Sequence, residues 1–165
     1  MRFYGLALLA GAAVLGACGG GGEKPADTTA ALPPSSTPAT TTPATGALTK
    51  IAATGTTHTV KMVGDDKGYR YEPATLTIKS GDAVKFVMVS GGPHNVAFEP
   101  AAVPADSKAQ LDANMDNKMS ELSSPYMMNP NEEYTVSFGG IKPGVYPYFC
   151  TPHLAMNMKG TITVQ

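Results

Sequence analysis

The chain has 165 residues, a formal net charge of −1 and no tryptophan; 42% of it is hydrophobic and 15% charged. That length suits one ordinary domain, or a smaller one carrying extensions. From Thr57 onward nine Lys or Arg stand against eleven Asp or Glu, with no basic run and no interleaving of basic and aromatic residues, so nucleic-acid binding has no support.

Residues 1–18 read as an export signal. Arg2 supplies the positive start, residues 3–14 are nearly all apolar, and small residues lead to Leu15, Gly16, Ala17 and Cys18. The apolar run is shorter than the about 20 residues that cross a bilayer. Leu-Gly-Ala-Cys before a Gly-rich stretch resembles the lipobox of bacterial lipoproteins. The resemblance implies cleavage before Cys18 and lipid on its sulfur; the plainer alternative is an ordinary cleaved signal with an incidental cysteine. Gly19 after Cys18, where Asp would retain the protein at the inner membrane, leans toward the outer membrane by analogy.

Residues 19–56 read as a linker. They hold Gly19 to Gly22, Pro33, Pro34, Ser35, Ser36, Pro38 and Pro43 among many Thr and Ala. Bulky apolar residues are nearly absent, so burial cannot offset the ordering entropy. As a flexible coil such a segment spans about 35 Å on average. Its Thr and Pro content also fits a glycosylated stalk.

Residues 57–165 change character. Short alternating runs occur at 57–63, 69–72, 74–79, 84–90, 94–98, 132–138, 145–150 and 160–164, with turn residues between them. Leu76 and Ile78 share one face, as do Val84, Phe86 and Met88, and Tyr134, Val136 and Phe138. About eight short strands at this spacing predict an all-β sandwich. Residues 104–123 break the pattern. Leu111, Met115, Met119 and Leu122 recur at helical spacing behind Pro104, which suits a first helical turn. They predict a helix, or two short ones, laid on the sandwich, with the methionines as its packed face.

The chemistry gathers in one stretch. Cys150, His153, Met156 and Met158 fall within nine residues, and a second histidine, His94, lies upstream in Gly91-Gly92-Pro93-His94-Asn95. One Cys, two His and a Met form the trigonal ligand set, with a weak axial thioether, of blue-copper electron-transfer sites. Four ligands leave no open position for a substrate, so the reading is not of an enzyme. Cysteine usage agrees. If Cys18 carries lipid, Cys150 has no disulfide partner, and a metal bond would occupy an otherwise exposed liability in an oxidising compartment.

His94 in Gly-Pro-His-Asn, the Tyr148-Phe149-Cys150-Thr151-Pro152-His153 run and Met158-Lys159-Gly160 resemble the plastocyanin and pseudoazurin branch of the cupredoxins, over residues 57–165. The resemblance implies a Greek-key β-sandwich with a short helical insert, one copper ion cycling between Cu(I) and Cu(II), and the ligands His94, Cys150, His153 and Met158. It favours Met158 over Met156 because the family's axial Met stands two residues before the Gly that opens the last strand. It also implies that the Asn95 backbone N–H bonds the thiolate while its side chain ties the two ligand loops. Pro152 has no N–H to give that sulfur, and losing one donor lowers the potential. Gly92, Pro93 and Leu154, with Gly91 and Pro152, are candidates for an apolar docking patch where the His153 edge reaches the surface; Leu154 as buried loop packing is the alternative.

Departures matter as well. Pro147 interrupts the strand before Cys150 and requires an edge or a bulge. Phe149 stands where plant plastocyanins have Tyr, and their acidic surface cluster is absent, so partner type does not carry over. A Cys/His hydrolase would need an oxyanion hole and an orienting group. Zinc sites rarely recruit Met. An extracytoplasmic copper carrier or buffer is the stronger rival, because Met127, Met128 and Met156 offer further thioethers. The expectation is a monomeric, lipid-anchored electron shuttle on an extracytoplasmic membrane face, serving an unidentified redox donor and acceptor.

Overall fold

The computed structural model describes residues 48–165. The export signal, Cys18 and the linker through residue 47 lie outside the described residues. Eight strands are present among the described residues: β1 (Thr57–Asp65), β2 (Gly68–Glu72), β3 (Thr75–Ile78), β4 (Ala83–Met88), β5 (Ala97–Phe98), β6 (Glu133–Ser137), β7 (Gly144–Phe149) and β8 (Lys159–Val164). One helix, α1 (Ala105–Ala113), follows β5. The strands form two four-stranded sheets, in the orders β2-β1-β4-β6 and β3-β8-β7-β5. β1 runs parallel to β4 and β3 parallel to β8; the other pairs are antiparallel.

Period-two alternation makes these segments strands, since it turns every second side chain inward. In β4 Val84, Phe86 and Met88 are buried, while Lys85 and Val87 between them are not. In β8 Gly160, Ile162 and Val164 do the same. The inner faces meet in a core dominated by Tyr71, Tyr146, Tyr148, Phe86, Phe98 and Phe138. Each buried aromatic removes some 150–250 Å² from water, which is what holds two small sheets together.

Pro147 sits in β7, an interior strand, yet meets the requirement for an edge. β5 is only two residues long and ends opposite Tyr148. Beyond it the Glu99 N–H donates to the Pro147 carbonyl at 3.0 Å, while the Glu99 carbonyl accepts from Ala102 and Val103. The chain leaves the sheet just where Pro147 has no N–H to pair.

Two sequence readings are corrected. The helix stops at Asn114 and does not reach residue 123. Asn117 and Leu122 adopt left-handed backbone angles, φ 46° and 56°, which no α-helix accepts. Asp112 draws the chain back by accepting from the Leu122 N–H at 2.7 Å and pairing with Lys118. Leu111, Met115 and Leu122 are buried as expected, but Met119 is 55% exposed.

The fastened chain also begins before Thr57. The Ile51 N–H donates to Asn114 at 2.9 Å, the Ser137 hydroxyl donates to the Ile51 carbonyl at 2.6 Å, and Thr54 and Gly55 N–H groups share the Gly81 carbonyl. The buried Asp82 carboxylate accepts from the Thr56 N–H at 2.8 Å, the Lys79 N–H at 3.0 Å and His58 at 2.9 Å. The Lys79 N–H, His58 and the Thr56 N–H together hold its carboxyl at about 2, well below the usual carboxylate range. Residues 51–56 therefore pack on the domain through backbone bonds, which no side-chain pattern reveals.

Candidate metal centre

The strands deliver four side chains to one end of the sandwich. His94 lies on the loop between β4 and β5, Cys150 directly follows β7, and Met158 directly precedes β8. Between them His153 opens a short 3₁₀ turn (Leu154–Met156) that ends at Asn157 in the left-handed region, φ 61°. The loop closes on itself: Cys150 N–H to the Met158 carbonyl at 3.1 Å, and Met158 N–H to the His153 carbonyl at 3.2 Å. His94 is clamped by reciprocal backbone bonds with Met127, at 3.0 and 2.8 Å.

Three donor atoms converge. The Cys150 Sγ lies 3.6 Å from His94 Nδ1 and 3.5 Å from His153 Nδ1, and the two Nδ1 atoms are 3.2 Å apart. A point equidistant from all three is about 2 Å from each, the length of a metal–imidazole bond. The tautomer of His94 fits as well. Its Nε2 lies 2.8 Å from the Ser90 carbonyl, which can only accept, so Nε2 carries the proton and Nδ1 presents its lone pair to the centre.

The surroundings are dry. His94, Cys150 and Met158 are fully buried, and His153 is 6% exposed. Burial holds both imidazoles below the usual histidine range, His153 further so through its nearness to His94, and this keeps them neutral as ligands must be. Burial pushes the Cys150 thiol up, against the backbone N–H groups of Asn95 and His153 at its sulfur. Without a compensating cation a thiolate there is costly; with one it is favoured.

Asn95 ties the two ligand loops together. Its side-chain oxygen accepts from the Thr151 N–H at 2.7 Å, and its Nδ2 reaches the Thr151 and Ser123 hydroxyls at 3.2 Å each. Tyr71 donates to the Asn95 carbonyl at 2.6 Å from within the core. Met158 is buried whereas Met156 is 54% exposed. Of the candidate patch, Gly92 packs beside Met88 and the Met127 and Met128 carbonyls, and Pro93 is half-buried. Leu154 is 42% exposed and borders a surface cleft with Pro147, Phe149 and Lys159. Met127 is buried, while Met128 is exposed.

Sequence reasoning missed Tyr69. Its ring stacks on the His153 imidazole at 3.7 Å between centroids, with the planes 13° apart, and meets His94 edge-on at 6.1 Å. Only the pairing of Tyr69 with Gly64 across β1 and β2 signals it, and that register is invisible in a single strand.

A β-sandwich that brings two imidazoles and a thiol together between its ligand loops defines a cupredoxin. A model of the family described as copper binding proteins, plastocyanin/azurin family, matches residues 49–165, and the chain belongs to that family. It is 38% identical to the plastocyanin of Scenedesmus fuscus over 107 residues, covering 65% of this chain and 98% of that protein. It is 37% identical to the chloroplastic plastocyanin of Physcomitrium patens over 114 residues, 69% of this chain but 61% of the relative's own length. The oxidised plastocyanin of Dryopteris crassirhizoma is a solved structure similar to it at 35% identity and a TM-score of 0.49, covering 66% of this chain and 100% of that one.

Proposed function

We propose that this chain is a type 1 blue copper protein that carries one electron at a time between redox proteins. The convergence of His94 Nδ1, His153 Nδ1 and Cys150 Sγ in a buried pocket carries this reading. Bound there, a copper ion supplies a one-electron couple between Cu(II) and Cu(I). His94, His153 and Cys150 would hold it, and Met158, the buried thioether of the loop, would be the fourth donor. Asn95, the Ser90 carbonyl and the Met127 clamp fix these donors so that little rearranges between oxidation states. Burial of the four side chains leaves no position for substrate, and it also disfavours the carrier reading, since carriers exchange metal through open thioether arrays.

Electrons enter where the ligand loops reach the surface. The loops at 89–96 and 151–158 bear no Lys, Arg, Asp or Glu, so a partner can approach without stripping water from charges. Leu154→Glu tests this face. The variant keeps its visible copper band, while electron self-exchange, which requires two such faces to meet, falls about tenfold or more as like charges oppose. Self-exchange equal to wild type at matched ionic strength would remove Leu154 from the docking face.

The shuttle is tethered. Leu15, Gly16, Ala17 and Cys18 support lipid attachment at Cys18, with the following linker giving the domain its reach from an extracytoplasmic membrane face. A single acyl chain anchors only marginally, so firm attachment needs more than one. In a detergent phase separation the wild type partitions with detergent and Cys18→Ala moves to the aqueous phase. Wild type in the aqueous phase would end the lipoprotein reading.

A further inference from the structure

We infer that Tyr69 is a positioning residue of the metal centre, its ring fixing the plane of the His153 imidazole; this rests on His153 being a ligand. His94 is oriented by a hydrogen bond from Nε2 to the Ser90 carbonyl. His153 has no protein acceptor of that kind among the described residues: its ring contacts are the two through Nδ1, to Cys150 and His94, and its outer nitrogen is left to solvent, which does not fix a ring plane. Metal-ligating histidines ordinarily donate their second N–H to an acceptor that sets the ring's orientation. Here the stacked Tyr69 ring, 3.7 Å away and nearly parallel, takes that part.

The fold makes a slot for it. A Cβ on Gly64 would stand 2.7 and 2.8 Å from two Tyr69 ring carbons and 2.9 Å from the Gly91 Cα. Gly91 itself has φ 74°, and a Cβ there would lie 2.4 Å from the Gly64 Cα. Two glycines on neighbouring segments thus let Tyr69 lie flat across β1 and reach His153. A side chain at either position displaces the ring or separates the segments.

Cu(II) prefers nitrogen ligands more than Cu(I) does, so a clamp that keeps His153 in place favours the oxidised state. Tyr69→Leu removes the flat face, and Tyr69→Phe keeps it. A stacked aromatic pair is worth roughly a two- to tenfold equilibrium factor, and the Leu variant is expected to lose Cu(I) to a competing chelator more readily by that factor at equilibrium. Its reduction potential rises, and Tyr69→Phe restores both values. In the copper-free protein, the ring-current shift of the His153 Hε1 proton is present in wild type and Phe variant and absent in Leu; this readout stands whether or not the copper reading does. Tyr69→Ile, which equally lacks a flat ring and suits a strand, serves as the second variant if Leu misfolds and is expected to behave as Leu does. A folded Leu variant with wild-type copper loss and potential, or a Phe variant that fails as Leu does, would overturn the proposal.

Discussion

Cys150→Ser is expected to abolish the intense visible absorption of the copper-loaded protein and leave the domain folded. The thiolate is the one anionic, strongly covalent donor of the set, and it forms one corner of the donor triangle at 3.5–3.6 Å from both imidazole nitrogens. A serine hydroxyl stays protonated and is a hard, weak ligand, so the charge-transfer transition has no donor. The fold survives because the residue is fully buried at the rim of the core and is replaced by a smaller one. The Asn95 and His153 N–H groups that face the sulfur can satisfy the hydroxyl, which keeps the cost of burying it to about 1–2 kcal/mol. Absorption and circular dichroism of the same sample check both halves. A variant that retains the band would show that another group supplies it.

Asn114→Ala is expected to be the most destabilising exchange outside the core. Asn114 is fully buried at the end of α1 and makes four hydrogen bonds. Its oxygen accepts from the Ile51 N–H and from Gln110, and its nitrogen donates to the Ser137 and Gly139 carbonyls, each at 2.9 Å. An amide side chain can make no more than that. It pins the N-terminal segment, the helix end and the end of β6 together. Truncation strands the two carbonyls and the Ile51 N–H, at about 3 kcal/mol in all, out of a total stability of roughly 5–15 kcal/mol. The melting temperature should fall by about 10 °C. Asn114→Asp should do no better, since it turns a carboxylate toward the carbonyls. A melting temperature within a degree or two of wild type would mean that water replaces the side chain.

What the sequence makes legible follows from what is local. Strands announce themselves by alternation, and all eight appear where the pattern places them, because each buries one face and ends at a turn residue. The donor set is legible because three of its members share one loop and the fourth sits in a distinctive Pro-His-Asn. Non-local features are not. The helix reading overran because Met119 and Leu122 keep helical spacing while Asp112, ten residues before Leu122, bends the chain back. The segment at 51–56 reads as linker because its attachments are backbone bonds to Gly81, Asp82, Asn114 and Ser137. Tyr69 goes unnoticed because its role depends on Gly64 and Gly91 standing back to back, 27 residues apart in sequence and in contact only once β1 and β4 have paired.

One potentiometric titration of the copper-loaded protein tests whether the site moves electrons and keeps its metal. Absorption and bound copper are followed together through full reduction and reoxidation. A single one-electron transition is expected, in which the visible band bleaches and returns with its original intensity and the copper content stays at one ion per chain throughout. Loss of the ion on reduction, with a band that returns only when copper is added back, would contradict the account and make the protein a carrier of copper.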